Sequence, residues 1–374
     1  MSKTPVRIGM LGAGFIGQMH SLAFRGASYS RAEPAVKPDF VALADQNEKA
    51  AAEVAARYDW SSTTTRWQDL LDQDLDLFVN AGPNHLHLEA SVAAAKAGIP
   101  VFCEKPLAST ADEAYRLWKS VDGYGVMHRC AFMHRFIPAV QLARQMVQVG
   151  ELGDVRHFRS NFALNMLGPD GEVSWRFDKD RAGAGAIGDL GSHHIDIARF
   201  IVGEIDQVAA LAKTWTTDSA GSIRHINDDA FVTIATLNDG ATTAVFEASR
   251  TNPSHSLTGR FEIDGTKRSI SWNMERLNEL VIRKPGRGPR VQMVTRPEHP
   301  LEGFWLPGGI QGSHPLGWNE CFAHQAHDIL GLALGKLTDS VAATFEDGYR
   351  VAEIVNTIEA AAVSGTTLPV NFRN

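Results

Sequence analysis

Apolar runs alternate with segments of helical periodicity along residues 6–131. Short apolar runs followed by longer amphipathic stretches are typical of repeated strand–helix units. The pattern predicts a Rossmann domain over residues 1–133, with a doubly wound parallel sheet covered by helices on both faces. The connection over residues 28–39 contains Pro34 and Pro38 and is predicted to be a surface excursion. We predict strands at residues 6–11, 40–44, 75–80, 101–103 and 126–131, and helices at residues 16–27, 48–58, 85–97 and 111–120.

After a helix predicted over residues 138–149, the pattern favours strands joined by short turns. This predicts an α+β domain over residues 134–374, with an open, mainly antiparallel sheet covered by helices on one face. The other face presents alternating apolar residues, so we expect a homodimer or homotetramer to form through it. We predict strands at residues 155–164, 205–213, 230–237, 242–249, 259–263 and 269–272, helices at residues 186–202, 319–334 and 345–363, and a functional loop at residues 284–317.

Composition is that of a globular protein with large cores. The 374 residues are 44% hydrophobic and 21% charged, which suffices for two domains without disulfides or metals. The net charge of −7 gives no basic surface for nucleic acid, and no apolar run reaches the ~20 residues that span a membrane. Cys103, Cys130 and Cys321 form no CxxC pair and no signal peptide is recognisable, so we expect reduced thiols in the cytoplasm.

A glycine fingerprint follows the first predicted strand. Residues 12–17 read G-A-G-F-I-G, the G-x-G-x-x-G pattern of dinucleotide sites. Gly12 permits a tight turn, Gly14 lets the backbone approach a pyrophosphate, and Gly17 allows the helix to pack closely on the strand. The first N–H groups of that helix then face the anion. The predicted cofactor site also includes the two residues between the glycines, Phe15 and Ile16.

Asp45 ends the second predicted strand and is expected to accept hydrogen bonds from ribose hydroxyls. A carboxylate at this position repels a 2′-phosphate, and the following Gln46 and Asn47 supply no cation to offset it. The cofactor is therefore expected to be NAD rather than NADP. The alternative for Asp45 is a turn residue at a strand end.

Two later stretches carry candidate catalytic groups. Residues 103–107, C-E-K-P-L, end the fourth predicted strand, where open α/β sheets bind their ligands. Residues 183–196, G-A-G-A-I-G-D-L-G-S-H-H-I-D, open the predicted helix of the second domain. Together with the fingerprint and residues 81–87, 132–138 and 175–178, they resemble the Gfo/Idh/MocA oxidoreductase family, which includes glucose–fructose oxidoreductase and inositol 2-dehydrogenase. The resemblance covers essentially the whole chain, and its specific part is the combination of E-K-P with D-x-x-x-H.

The resemblance implies hydride transfer between NAD and a secondary hydroxyl, with Lys105, Asp189 and His193 as catalytic residues. Asp189 and His193 stand at i and i+4 on a predicted helix, so the carboxylate can orient the imidazole. Histidine suits removal of the hydroxyl proton near neutral pH, and Lys105 can stabilise negative charge on the reacting oxygen. The implied contacts are Pro83, Asn84, His87, Glu104 and Lys105 to the cofactor, and Arg135, Trp175, Arg176, Asp189 and His193 to the substrate.

Other residues and functions stay open at this point. Asn165, Trp272, His314 and Trp318 are candidate wall or lid residues, whereas His194 lies on another part of its helix and is interpreted as structural. No third ligand accompanies the Asp–His pair at metal-binding spacing, so no metal is expected. The alternatives to a dehydrogenase of sugars, glycosides or cyclitols are an NAD-assisted glycoside hydrolase and a non-catalytic regulator that senses sugar and dinucleotide.

Overall fold

The structure is a computed structural model that describes residues 3–30, 33–167, 172–218, 221–255, 257–295 and 315–373. The chain forms two compact units. Each unit combines segments that are distant from one another in the sequence. The first unit comprises Met1–Ala108, Asp112–Phe136 and Thr295–Gly348, and the second comprises Ser109–Ala111, Ile137–Val294 and Tyr349–Asn374.

Strands and helices alternate in the first unit, and strands dominate the second. The strands are β1 (Thr4–Leu11), β2 (Val36–Ala44), β3 (Ser62–Thr64), β4 (Leu77–Asn80), β5 (Val101–Cys103), β6 (His128–Cys130), β7 (Val155–Ala163), β8 (Ile205–Lys213), β9 (Ala230–Leu237), β10 (Thr242–Ser249), β11 (Thr258–Gly265), β12 (Ser269–Asn273), β13 (Glu279–Arg283), β14 (Arg290–Met293) and β15 (Leu368–Pro369). The helices are α1 (Phe15–Ser30), α2 (Glu48–Tyr58), α3 (His87–Lys96), α4 (Ala111–Gly123), α5 (Pro138–Gln148), α6 (Lys179–Ala182), α7 (Ser192–Ile201), α8 (Trp318–Ala333) and α9 (Phe345–Ser364). In the described ranges, none of these helices has both the length and the apolar character that crossing a membrane requires.

The sheet of the first unit is parallel throughout, in the order β3-β2-β1-β4-β5-β6. The strand order reverses between β1 and β4, and ligands of open α/β sheets bind at such a switch point. All carboxyl ends of parallel strands lie at one edge of the sheet. The segments that follow β1, β2, β4 and β5, which hold the predicted cofactor residues, therefore begin at that edge. The predicted doubly wound fold is confirmed.

The predicted excursion over residues 28–39 is wrong. Helix α1 continues to Ser30 and β2 already begins at Val36, so the connection between them is short. Pro38 lies inside β2, opposite Val6 of β1, whereas β3 pairs only with Ala42–Ala44 further along. At Pro38 the strand has a neighbour on one side only, and the missing N–H of proline is tolerated at such an edge.

The second unit holds a sheet in the order β14-β13-β12-β11-β7-β10-β9-β8-β15. Strands β7 and β10 run parallel and the other neighbours are antiparallel. Burial alternates along β9, where Phe231 and Thr233 are buried while Val232 and Ile234 are exposed. Helices α5 and α7 pack on each other and on strands of this sheet. The predicted open, mainly antiparallel sheet with helices on one face is confirmed.

Two predictions in the second unit need correction. The predicted loop over residues 284–317 contains strand β14, which pairs with β13 as a hairpin, and its residues 296–314 lie outside the described residues. His314 is among them. The predicted helix over residues 186–202 is divided, because Ile187–Gly191 forms a π turn before α7 begins. Single π turns within helices are frequent at functional sites.

Candidate active site

The glycine fingerprint joins β1 to α1 through contacts that exclude larger residues. A Cβ at Gly12 would lie 2.3 Å from the carbonyl oxygen of Ala81, and a Cβ at Gly17 would lie 2.0 Å from the carbonyl oxygen of Gly12. Both distances are far inside van der Waals contact, so the turn exists only with glycine at these positions. The tight turn and the close packing predicted for the two glycines are therefore present.

An open cradle lies at the start of α1. A Cβ at Gly14 would have no protein atom within 4 Å, so this glycine leaves room beside the backbone rather than avoiding a protein contact. Phe15 is 72% exposed and Ile16 is half-buried, which places both at the rim of the cradle. The open space at the N-terminus of a helix fits a pyrophosphate, because the first N–H groups of the helix lack partners within it.

Asp45 follows β2 and lies against the same glycine loop. Its carboxylate accepts hydrogen bonds from the backbone N–H of Ala13 at 2.8 Å and of Asn47 at 2.9 Å. The carboxylate is therefore fixed beside the fingerprint, where the predicted ribose contact requires it. These observations show that the residues present fit a dinucleotide.

Lys105 is anchored through the neighbouring Glu104. The Glu104 side chain is 6% exposed, and one of its oxygens lies 2.7 Å from Nε2 of His20 on α1, which is 2% exposed. The other oxygen accepts the backbone N–H of Lys105 at 3.0 Å. Helix α1 and the lysine segment are thus tied to one buried carboxylate. Glu104 was predicted as a cofactor contact, and His20 was not identified from the sequence.

His87 joins the loop after β4 to the segment after Lys105. It is fully buried, with Nε2 at 3.0 Å from the carbonyl oxygen of Gly82 and Nδ1 at 2.9 Å from that of Pro106. Burial lowers its pKa, and the two carbonyl contacts oppose that shift. The structure places His87 as a brace between two loops. Pro83, in the same loop, is half-buried, as is its neighbour Asn84.

Arg135, predicted to bind substrate, lies in a turn at Met133–Phe136 after β6. Its side chain is nearly buried and forms a two-pronged ion pair with Asp347, with both distances at 3.2 Å. Bidentate guanidinium–carboxylate pairs fix the orientation of both partners. Within its unit, Arg135 therefore has a defined structural partner.

Three predicted substrate and catalytic residues of the second unit lie together. The guanidinium of Arg176 lies 4.8 Å from the ring centre of Trp175, and its Nε lies 3.6 Å from Oδ2 of Asp189. Asp189 belongs to the π turn, and His193 follows in the first turn of α7. The His193 ring lies 6.0 Å from that of Phe162 on β7. An aromatic ring, a cation and a carboxylate in one cluster suit a polyhydroxylated ligand.

His194 has a different environment from His193. It is 2% exposed and stacks on Phe162 with ring centres 5.1 Å apart. Burial lowers the pKa of His194 to about 3, so the ring is neutral at ordinary pH. The structure places it in the core, in agreement with the structural interpretation.

The other candidate wall residues have environments that differ from that of this cluster. Trp272 is 2% exposed and donates its indole N–H to the carbonyl of Leu277, so it is a core residue. Asn165 is exposed and forms a β-bridge with Thr251, and Trp318 begins α8. Within the described ranges, no group of three His, Cys, Asp or Glu side chains is arranged to hold a metal ion.

Sequence reasoning missed a polar network beside the turn that carries Asp189. Asp228 accepts hydrogen bonds from the backbone N–H groups of Gly185 and Ile187. Asn227, Asp229 and Arg250 extend the network. Its members are far from the motifs along the chain, and an Asn-Asp-Asp sequence before a strand resembles an ordinary turn, so no local signal identified them.

Comparisons with known proteins agree with this geometry. A sequence model described as the oxidoreductase family with an NAD-binding Rossmann fold matches residues 6–132, and one described as the GFO/IDH/MocA C-terminal domain matches residues 140–271. Levoglucosan dehydrogenase of Pseudarthrobacter phenanthrenivorans is 34% identical over 98% of both chains. Inositol 2-dehydrogenase of Rhizobium meliloti is 26% identical over 80% of this chain and 83% of its own.

Among solved structures, levoglucosan dehydrogenase in complex with NADH and levoglucosan has a TM-score of 0.91 at 33% identity, covering 98% of this chain and all of the other. The expected class, an NAD-dependent dehydrogenase acting on CH–OH groups of sugars or cyclitols, is confirmed, as is NAD as the cofactor. The similarity in sequence and in fold extends over 98% of the chain and assigns it to one family. The chain belongs to the GFO/IDH/MocA oxidoreductase family.

Proposed function

We propose that the protein oxidises a secondary hydroxyl of levoglucosan, or of a closely similar anhydrosugar, with NAD. The observation that carries this proposal is the match over 98% of the chain to levoglucosan dehydrogenase bound to NADH and levoglucosan. The cluster of Trp175, Arg176 and Asp189 supports it, because it combines an aromatic face with charged groups that bind hydroxyls.

In the proposed reaction, His193 removes the proton of the substrate hydroxyl, and Asp189 holds the imidazole in the orientation that this requires. Lys105 donates a hydrogen bond to the same oxygen and stabilises the negative charge that develops there. Bound NAD supplies the acceptor for the hydride that leaves the carbon. The products are a ketone, NADH and a proton carried by His193. Asp45 selects NAD through the ribose hydroxyls, and Gly14 admits the pyrophosphate.

The test is NADH absorbance with a panel of levoglucosan, glucose, a methyl glucoside and myo-inositol. We expect turnover with levoglucosan, and a loss of about 10²–10⁴-fold in kcat for His193→Ala and for Lys105→Ala. His225 is an exposed histidine of the same unit, so His225→Ala is the matched control and should retain full activity. NADH binding to His193→Ala, followed by fluorescence, should stay close to that of the unchanged protein.

Other outcomes of this assay, extended with a nitrophenyl glycoside, would replace the proposal. Release of nitrophenol from a nitrophenyl glycoside without NADH accumulation would indicate the glycoside hydrolase. Binding of sugar and NADH without turnover across the panel would indicate the regulator. Unchanged kcat in both His193→Ala and Lys105→Ala would remove the assigned roles.

We further propose that the exposed face of the second unit's sheet joins copies of the chain into a homodimer or homotetramer. Leu211 pairs with Val232 and Ile234 pairs with Val245 across strands β8, β9 and β10, so the four form one patch. Their exposed fractions are 73%, 45%, 62% and 37%. Contiguous apolar patches of this kind mark interfaces between proteins.

Light scattering after size exclusion tests the interface. The unchanged protein should be at least dimeric, and Ile234→Asp should shift it towards the monomer. Val363 is 91% exposed on α9 and is not one of the four patch residues, so Val363→Asp should leave the mass unchanged. A monomeric unchanged protein would contradict the proposal.

We also propose a cytoplasmic location. Cys103, Cys130 and Cys321 are all free and buried, as expected of a protein from a reducing compartment. Fractionation of cells into cytoplasm and exported proteins tests this, and recovery of the protein among exported proteins would contradict it.

A further inference from the structure

We infer that Asp228 is a positioning residue for Asp189 and His193, and that Asn227 and Arg250 fix the Arg176 turn to the same framework. The inference rests on the proposed function, because it concerns how the proposed catalytic and substrate-binding groups are held. All of these residues lie within the second unit. None of them was identified from the sequence.

Asp228 accepts hydrogen bonds from three consecutive backbone N–H groups at the start of the proposed catalytic turn. Its Oδ1 accepts from Gly185 at 2.6 Å and its Oδ2 from Ile187 at 2.8 Å, while its backbone carbonyl accepts from Ala186 at 2.8 Å. The first N–H groups of a helix have no partners inside the helix, and a carboxylate there is favoured by the helix dipole. The backbone at the start of the π turn that carries Asp189 is therefore held by Asp228.

The glycine-rich sequence permits this close contact. A Cβ at Gly185 would lie 2.0 Å from the backbone carbonyl oxygen of Asp228, so only glycine allows the two segments to approach this closely. The N–H of Asp189 donates to the carbonyl of Gly185 at 2.8 Å, which is the first bond of the helical segment. Asp228 thus fixes the position of Gly185, and Gly185 fixes Asp189 through this hydrogen bond. The π turn then connects Asp189 to α7, which carries His193.

Asn227 connects the catalytic turn to the Trp175–Phe177 turn. Its Nδ2 donates to the carbonyl of Gly183 at 2.8 Å and to the carbonyl of Arg176 at 3.1 Å. One side chain therefore holds both segments at a fixed separation. That separation matters because the Arg176 guanidinium lies 3.6 Å from the Asp189 carboxylate.

Arg250 completes the framework from β10's carboxyl end. It is fully buried, donates to the carbonyl of Arg176 at 3.0 Å and stacks 3.8 Å over the ring of Phe177. Its charge is balanced by Asp229, also fully buried, at 3.3 Å. Asp229 in turn accepts two backbone N–H groups from residues 215 and 216. The framework is rigid because each buried charge and most of its polar atoms have partners.

Such a framework affects the reaction more than the fold when one acceptor is changed. A displacement of about 1 Å at a reacting group can cost about 100-fold in rate, whereas one lost backbone contact leaves a large core intact. Asp228→Asn keeps the size of the side chain but presents an amide N–H₂ to one of the two backbone donors. The turn must then shift away from that group.

The experiment measures kcat, KM, the deuterium isotope effect on the oxidised C–H bond and NADH affinity for Asp228→Asn with levoglucosan. We expect kcat to fall about 10–100-fold, the isotope effect to increase because the chemical step becomes slower, and NADH affinity to change less than about twofold. A purely structural role would lower the folded fraction without changing the isotope effect. Asp206→Asn is the matched control, since Asp206 accepts the N–H of Gly240 at 2.9 Å elsewhere in the same unit.

A second variant covers the case in which Asp228→Asn does not fold. Asn227→Ser keeps every carboxylate and removes the link between the two turns, and we expect a loss of about tenfold in kcat/KM for levoglucosan with NADH affinity unchanged. Values within twofold of the unchanged protein for a folded Asp228→Asn, or for Asn227→Ser, would overturn the inference, as would an equal loss in Asp206→Asn. Absence of NADH formation by the unchanged protein with every sugar would instead refute the proposed function.

Discussion

The two units hold their candidate functional residues in different ways. In the first, the proposed cofactor cradle is formed by close backbone contacts, with the Gly17 position facing the carbonyl of Gly12 and the Gly12 position facing the carbonyl of Ala81 in the loop after β4. In the second, the turn before His193 is held by Asp228, 43 positions from Gly185 and 41 from Ile187. The cradle of the first unit is therefore formed by residues of the sequence motifs, whereas the turn before His193 also depends on Asp228, which no motif includes.

The contrast is not complete, because a residue outside the motifs also contributes in the first unit. His20 and Glu104 are 84 positions apart and form the buried pair beside Lys105. The segment of Lys105, the proposed catalytic lysine, is thus secured by a residue outside the motifs, as the turn before His193 is. Motif residues form the proposed cofactor cradle, and side chains outside the motifs hold the backbone near the proposed catalytic groups.

The largest expected effect is on stability in the second unit. Arg250→Met leaves the Asp229 carboxylate buried without its cation, and we expect the free energy of unfolding to fall by about 4 kcal/mol. Chemical denaturation measures this change. The double variant Arg250→Met, Asp229→Asn removes the unbalanced charge and should recover part of the loss. A change below about 1 kcal/mol for Arg250→Met would show that the network is not needed for the fold.

The corresponding change in the first unit is Gly17→Ala. Its Cβ would meet the carbonyl oxygen of Gly12 at 2.0 Å, so we expect a loss of about 3 kcal/mol in the free energy of unfolding. Gly14→Ala is the matched control, because no protein atom lies within 4 Å of the new methyl group. It should fold as the unchanged protein does and bind NADH about tenfold more weakly, since the methyl group occupies the cradle. Equal stability losses in the two variants would contradict this division of roles.

A smaller effect is expected on cofactor selection. Asp45→Ser removes the carboxylate beside the fingerprint and should shift the ratio of kcat/KM values for NAD and NADP by about tenfold towards NADP. Asp59 is an exposed aspartate of the same unit, so Asp59→Ser serves as the control and should leave the ratio unchanged. An unaltered ratio in Asp45→Ser would assign Asp45 to the turn alone.

The smallest predicted effect concerns Glu359, a carboxyl group near Asp228. Burial, together with the charge of Asp228, raises the pKa of Glu359 from 4.5 to about 7. Between pH 4.5 and about 7, the folded protein therefore binds more protons than the unfolded chain. Protonated Glu359 contributes stability at low pH, and this contribution is lost as the pH rises through about 7. Glu359→Gln should raise the free energy of unfolding by about 1 kcal/mol at pH 8, after a discount for partial exposure, and by almost nothing near pH 4.5.

Thermal unfolding at the two pH values measures this difference. Glu89 is exposed, and Glu89→Gln should change stability by less than about 0.5 kcal/mol at either pH. A stabilisation by Glu359→Gln that is the same at pH 4.5 and pH 8 would show that the raised pKa is not its cause.

Much of the fold was accessible from sequence where alternation was regular. The predicted bounds of β8, β9, β10 and α2 coincide with those of the structure, because each has a clear apolar period and turn residues at its ends. Strand β3 was missed, since Ser62–Thr64 contains no apolar residue to indicate a strand. Strands β13 and β14 were missed in part because the Pro- and Gly-rich turn between them resembles a loop.

Features that depend on distant contacts were not accessible. The membership of Thr295–Gly348 in the first unit follows from packing such as that of α8 on α1, which no local pattern encodes. The π turn at Ile187–Gly191 depends on Asp228, which lies beyond the motif. The motifs located the proposed catalytic groups and the cofactor loop, and the residues that hold the catalytic groups became visible only in three dimensions.

The central claim is that Lys105 and His193 act on one substrate oxygen. A double-mutant cycle on kcat for levoglucosan oxidation tests it most directly, with His193→Ala, Lys105→Ala and the variant that combines both. Groups that act as a unit are strongly non-additive, so the combined variant should lose no more than about tenfold beyond the slower single variant. A combined loss equal to the product of the two single losses would contradict the claim.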